Sequence, residues 1–212
     1  MNEAQAPAQP AESEGENLEL SVAEAMAFAM KCHQVGNLDA AEQLYSVVLS
    51  ALPNHADALH FFGVLTHQRG DSERGLTLIE RAIALAPNAG AYNNLGNVLY
   101  ELDRFEDAAA AYERALALCP EAGTLNNLGS SLRMQGRVEE AEAAYRRALE
   151  LSPKHIDTHN NLANLLGIIG RIEEALEHFR AALEQLPSHP EARRQLGVAL
   201  AALGRRNEAA SV

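Results

Sequence analysis

Five prolines divide this chain at near-constant intervals: Pro53, Pro87, Pro120, Pro153 and Pro187, spaced 34, 33, 33 and 34 residues apart. The text between them repeats as well. AYNNLGNVLYELDRFEDAAAAYERALALCP (residues 91–120) returns as GTLNNLGSSLRMQGRVEEAEAAYRRALELSP (123–153) and as THNNLANLLGIIGRIEEALEHFRAALEQLP (158–187), with looser copies on either side. A unit of that length cannot bury a core alone. It must stack on its neighbours, so the period predicts a solenoid rather than a globule with one centre.

Each unit reads as two helices. Tyr92, Leu95, Gly96 and Leu99 fall at i, i+3, i+4 and i+7, one face of a first helix. A turn follows near Asp103, and the second helix places Phe105, Ala108, Tyr112, Ala115 and Leu116 inward. The proline then stops it, lacking an N–H and clashing with the turn before it. Small residues recur where the two helices should nearly touch: Gly63, Gly96, Gly129 and Gly197, with Ala29 and Ala163 in the same slot. The first unit is expected to pack through Phe28, Ala29, Ala41, Tyr45 and Val48, the second through Leu59, Phe62, Gly63, Gly75, Ile79 and Ala82. Ser21 and Glu24 form a capping box that opens the fold, and Asn37 suits an N-cap after Gly36.

The pattern resembles the tetratricopeptide repeat, with its aromatic-x2-L-G-x2-Y…A-x3-F…P signature. The residues that carry it are Tyr92, Leu95, Gly96, Leu99, Ala108, Tyr112 and Pro120. Leu125, Leu128, Gly129, Leu132, Ala141, Tyr145 and Pro153 repeat it, as do His159, Leu162, Ala163, Leu166, Ala175, Phe179 and Pro187. The resemblance runs from about Ser21 to the end. Within that family the NNLGN and NNLAN segments are most similar to the repeats of the O-GlcNAc transferases. It implies an all-α, right-handed superhelix whose first helices line a concave groove.

Composition fits a stack held by Ala and Leu: 47% of residues are hydrophobic, only 5% aromatic, and there is no Trp. A net charge of −12 argues against nucleic acid and anionic membrane as partners. Two cysteines do not make a disulfide framework; Cys32 is expected to be a small buried residue, and Cys119 precedes a terminal proline. Residues 1–17 are rich in Ala, Glu, Pro and Gln without apolar periodicity, so the first 20 residues are expected to be a disordered tail with no signal-peptide pattern. No stretch is long and apolar enough for a membrane span, and a cytoplasmic location is expected.

Eight histidines raise the question of a metal. His60 and His67 share a helix face, but closer clusters with Cys or carboxylate partners are what zinc prefers, so no metal or cofactor is expected. His55, His155 and His189 occupy the same linker position, and His159 takes an aromatic packing slot. There is no phosphate-binding glycine loop, no G-x-S-x-G and no H-E-x-x-H, so no catalytic residue is expected. Paired carboxylates such as Glu139-Glu140 lie early in second helices, where negative charge suits the helix dipole.

The asparagines need another account. Repeat positions 5, 6 and 9 read Asn93, Asn94, Asn97, then Asn126, Asn127, Ser130, then Asn160, Asn161, Asn164. Asn is a mediocre helix former, so this run costs helix stability. An amide both donates and accepts, and a regular row of them suits the backbone of an extended peptide. The resemblance to O-GlcNAc transferase repeats implies that role most directly for Asn94, Asn127 and Asn161. Amides tying neighbouring helices together are the other reading. Towards the N-terminal end the same positions become Met26, Ala27, Met30, His60, Phe61 and Val64. This apolar patch would either anchor a partner or be covered by Leu18 and Leu20 of the tail. A carboxylate clamp for a peptide C-terminus is not expected, because Arg194 alone supplies a cation at the relevant first-helix positions.

The sequence therefore predicts a tail (1–20) and an array (21–212) of repeats at about 21–53, 54–87, 88–120, 121–153 and 154–187, with a partial sixth at 188–212. It reads as a non-catalytic scaffold binding a protein or peptide. The alternatives are the recognition arm of a larger transferase, glycosyltransferase-like, and a self-assembling scaffold. Leu196, Leu200 and Leu203 are expected to be poorly covered by the short segment 206–212, leaving that end to a further domain or to self-association.

Overall fold

The computed structural model describes residues 21–209. The expected disordered tail, with Leu18 and Leu20, lies outside the described residues. Twelve helices and no strand form the described chain. They pair as α1 (Val22–Gln34) with α2 (Leu38–Ala51), α3 (Ala56–Gln68) with α4 (Ser72–Leu85), and α5 (Ala89–Glu101) with α6 (Phe105–Leu118). Next come α7 (Ala122–Met134) with α8 (Val138–Leu151), α9 (Ile156–Ile168) with α10 (Ile172–Gln185), and α11 (Pro190–Ala202) with the short α12 (Arg206–Ala209). Each pair stacks on the next, which is an all-α solenoid. No helix of the described residues is long and apolar enough to cross a membrane.

Local chemistry sets the helix ends. Each of the five full second helices stops two residues before its proline. Ser21 accepts from the Glu24 N–H at 3.3 Å while the Glu24 carboxylate accepts from the Ser21 N–H at 2.9 Å, completing the capping box. Asn37 caps α2 and Asp71 caps α4. The three linker histidines are also caps: Nδ1 of His55, His155 and His189 accepts the N–H of Ala58, Thr158 and Ala192 at 3.2, 3.2 and 3.1 Å. The turn inside each pair takes a left-handed residue, glycine at five positions and Asp103 (φ 58°) at the sixth.

Close packing of each pair depends on the small slots. A Cβ at Gly96 would lie 2.5 Å from the Tyr112 ring, and one at Gly129 2.6 Å from Tyr145. Gly63 and Gly75 face each other, each 2.8 Å from the other's carbonyl oxygen if given a Cβ. Tyr45, Tyr112 and Tyr145 are almost fully buried beside these slots. Burying a large apolar side chain is worth about 1.5–3 kcal/mol, so the tyrosines are the main anchors of their repeats.

Three packing expectations need correction. Phe28 is 52% exposed rather than packed. Its counterparts Phe62, Leu128, Leu162 and Leu196 are buried and Leu95 is half-buried, each with a helix pair before it, and among the described residues α1 has none. Gly197 is not tight, its added Cβ meeting only the Ala209 carbonyl oxygen at 4.0 Å. Leu196 and Leu200 are buried at 5% and 1% exposure, and with half-buried Leu203 they join the same core as Leu165, Leu166 and Leu176 of the preceding repeat.

One polar pair lies inside the fifth repeat. His159 is buried; its Nε2–H donates to the Pro153 carbonyl at 3.0 Å, which leaves Nδ1 to accept from His178 Nδ1–H at 2.9 Å. Burial first, then the neighbouring His159, hold the His178 pKa down to about 4. In the unfolded chain this histidine protonates near 6.5, so between 6.5 and 4 the unfolded state binds more protons. Stability is then complete above pH 6.5 and declines as pH falls towards 4, by at most about 3 kcal/mol from this group. Urea midpoints at about pH 7 and about pH 4.5 should differ less in His178→Gln than in wild type. Equal pH dependence in both proteins would remove His178 as a cause.

Candidate functional site

Four cavities adjoin along the side of the solenoid formed by the first helices. The first, about 270 Å³, is lined by Met30, Phe61, Val64 and Asn94 among others. The second, about 350 Å³, adds Asn97 and Glu101, and the third, about 380 Å³, adds Asn127, Ser130 and Arg133. The fourth and largest, about 530 Å³, runs from Arg133 and Asn161 to Asn164, Ile168 and Val198. Asn94 is shared by the first two, Asn97 and Glu101 by the next two, and Arg133 and Asn161 by the last two. The result is one continuous trough.

The amides divide by repeat position. Position 5 turns between repeats: Asn126 and Asn160 are buried and Asn93 is half-buried. Each accepts from the following repeat where a donor exists. Asn93 Oδ1 accepts from Thr124 Oγ1 at 3.2 Å and Asn127 Nδ2 at 3.4 Å; Asn126 Oδ1 accepts from Asn161 Nδ2 at 2.9 Å and Thr158 Oγ1 at 3.3 Å. In the second repeat His60 fills this place, its Nε2 accepting from Asn94 Nδ2 at 2.9 Å. Burial lowers the His60 pKa and keeps that nitrogen an acceptor. After Asn160 the series ends. Ala192 stands where Thr158 and Thr124 stood, and Gln195 donates to Glu191 at 2.9 Å, so the Asn160 Oδ1 is buried without a partner.

Positions 6 and 9 line the trough. Asn94 and Asn161 each spend one N–H on the preceding repeat, and their Oδ1 atoms accept no hydrogen bond among the described residues. Asn127 is more committed, donating to both Asn93 and Asn97, the latter at 3.2 Å. At position 9 Asn97 accepts from the Tyr112 hydroxyl at 2.8 Å, and Ser130 pairs with the Tyr145 hydroxyl at 3.1 Å. Burial pushes both tyrosine pKa values up, so these phenols stay neutral hydrogen-bonding groups. Asn164 has Phe179 opposite it in place of a tyrosine, and its amide makes no side-chain hydrogen bond among the described residues.

Of the expected apolar patch, Met30, Phe61 and Val64 line the first cavity, whereas Met26 is buried in the core of the first repeats. Arg194 is exposed and paired with Glu191 at 2.6 Å. The cation in the trough is instead Arg133, which the sequence reading passed over. It sits one turn beyond Ser130, a spacing that could have flagged it. No group of three or more His, Cys, Asp or Glu side chains among the described residues is placed to hold a metal ion.

Models of the tetratricopeptide repeat match residues 23–52, 87–154, 120–188 and 170–212. No curated protein matches the chain. Among solved structures it resembles the MamA protein, with 26% identity and a TM-score of 0.66 over 77% of this chain and 91% of that one. It also resembles YrrB, described as a tetratricopeptide protein with an unusual peptide-binding site, with 23% identity and a TM-score of 0.65 over 81% and 90% of the two chains. PilF of Pseudomonas aeruginosa superposes with a TM-score of 0.81 at 22% identity, over 90% of this chain and 87% of that one.

Proposed function

The chain is built of tandem tetratricopeptide repeats, and from that premise we propose that it is a non-catalytic scaffold that holds an extended segment of a protein partner in its first-helix trough. The observation that carries this reading is the pair of open amide oxygens at Asn94 and Asn161, in one trough with Asn127 between them in the series. Each already donates to the preceding repeat, so its orientation is fixed before any partner arrives, and little side-chain entropy remains to be lost on binding. Asn94 and Asn161 keep one N–H each and are bidentate towards a peptide bond; the Asn127 oxygen accepts from Asn126 Nδ2 at 3.5 Å and offers its second lone pair. Asn97, Ser130 and Asn164 supply the second row. Asn93 and Asn126 take the other role, keeping successive first helices in register, while Asn160 makes no such bond. Such a ladder is the kind implied by the resemblance to O-GlcNAc transferase repeats, and peptide binding is what the description of YrrB reports for that protein. Met30, Phe61 and Val64 would receive an apolar side chain at the far end of the segment.

A ladder of this kind reads the backbone, and backbone N-methylation tests it. Short peptides are selected from a displayed library against the wild-type protein, and the tightest is resynthesised with one N-methyl group at each position in turn. At two or more positions methylation should weaken binding about two- to tenfold, the value of one neutral hydrogen bond. Binding insensitive to methylation at every position would contradict backbone recognition.

A further inference from the structure

The trough is not uniform, and its largest cavity lies between the fourth and sixth repeats. We propose that this cavity is a specificity site for a peptide segment carrying an aspartate or glutamate side chain next to a large aliphatic or aromatic one, with Arg133 holding the carboxylate. The inference rests on the scaffold reading above and adds what the partner must display.

Three observations support it. Arg133 lines both the third and the fourth cavities, and it forms no ion pair with a carboxylate among the described residues. Other arginines of the described residues also lack an ion pair, Arg74, Arg81 and Arg114 among them, but none of those three lines the trough. The hydrogen-bonding neighbours of Arg133 are neutral, the Tyr145 hydroxyl and Ser130; Glu101 lines the third cavity with it but lies 2.9 Å from His67 Nε2. A half-buried guanidinium facing open trough is most stabilised by an incoming planar anion, which its donor fork fits.

Next to it the wall turns apolar. Ile168, Ile172, Phe179, Val198, Ala199 and Ala202 line the same cavity. Ile168 and Val198 are 71% and 57% exposed, a large apolar area left open to water at the C-terminal end of the trough. The space exists because this repeat has Phe179 where Tyr112 and Tyr145 send a hydroxyl to position 9, and because Gly167, Ala199 and Ala202 leave room. Asn161 and Asn164 line the same cavity, Asn161 with its oxygen and one N–H unused and Asn164 with no side-chain hydrogen bond among the described residues.

The occupant is an acidic side chain within a segment rather than a chain terminus. The trough continues on both sides of Arg133, so a strand lying in it passes the guanidinium and does not end there. A single arginine also matches the single charge of a carboxylate better than the double charge of a phosphate.

The test uses amidated peptides of one backbone in which a Glu and a Leu are placed independently, with Gln, phosphoserine and free-carboxylate versions alongside. Glu beside Leu should bind best, and Glu→Gln in the peptide should weaken binding about tenfold. Arg133→Gln in the protein should abolish that difference, and Arg133→Lys should keep part of it. The double change Ile168→Ser and Val198→Ser, at exposed positions, should erase the preference for Leu and leave the preference for Glu. If Arg133→Gln, folded by circular dichroism, still discriminates Glu from Gln, the assignment fails. Tighter binding of the phosphoserine or free-carboxylate peptide would overturn the occupant named here. Peptides that bind without preference yet remain sensitive to N-methylation would remove this inference and leave the scaffold reading standing. A set in which none binds would count against both.

Discussion

Gly129→Leu should destabilise the array by about 3–4 kcal/mol, and the cost follows from how the site can escape. The new Cβ alone would lie 2.6 Å from the Tyr145 ring, and that tyrosine has no exposed surface through which to shift. Either the α7–α8 pair opens, or Tyr145 leaves its pocket. The second route forfeits about 1.5–3 kcal/mol of burial and the hydroxyl contact with Ser130, a further 0.5–1.5 kcal/mol or so. Because repeats couple only to neighbours, the unfolding transition should also broaden as the two flanking segments separate. Gly167→Ala is the control. An added Cβ there meets nothing within 4 Å, so the change should stabilise α9 by about 1 kcal/mol through helix propensity alone. Urea denaturation followed by circular dichroism reads both. A Gly129→Leu protein as stable as wild type would mean that the α7–α8 contact is not the one described.

The contrast between those two glycines marks what the sequence could reveal. Period, proline stops and helix faces are written in residue types, and they place the helix pairs and the slots at Gly63, Gly96 and Gly129. The same slot at Gly197 reads identically but is loose, because tightness depends on what the second helix presses against it, Tyr112, Tyr145 or Ile79 and Gly75 in the tight cases, and only the Ala209 carbonyl comes near it among the described residues. Phe28 fails for a related reason: its slot is buried only when a preceding pair covers it. The bonds between amides were legible only as one of two readings. A partner 34 residues away, such as Asn94 for His60, becomes a neighbour only when one repeat is laid on the next at a particular rotation. The linker histidines were recognised as equivalent, yet histidine is an uncommon N-cap and the capping role needed the Nδ1 geometry. Arg133 escaped notice because it interrupts no repeat pattern; its openness is a property of the trough.

The second large effect concerns Asn94, Asn127 and Asn161 together. Each backbone bond is worth about 0.5–1.5 kcal/mol, so changing all three to Ala should cost roughly 2–4 kcal/mol of binding. The same change removes donors to His60, Asn93, Asn97 and Asn126. Thr124 and Thr158 still serve Asn93 and Asn126, and alanine is the better helix former, so the variant should be less stable but folded. Binding and stability must therefore be read separately, with helicity checked at the assay temperature.

The direct measurement is a calorimetric titration of a library-selected peptide into wild type and into the folded triple variant, at roughly 0.05 and 0.5 M salt. The trough account predicts that the variant binds about thirty- to a thousandfold more weakly, and that this ratio stays nearly constant with salt because the lost contacts are between neutral groups. A folded triple variant that binds as tightly as wild type would contradict it, leaving the asparagines as ties between helices and nothing more.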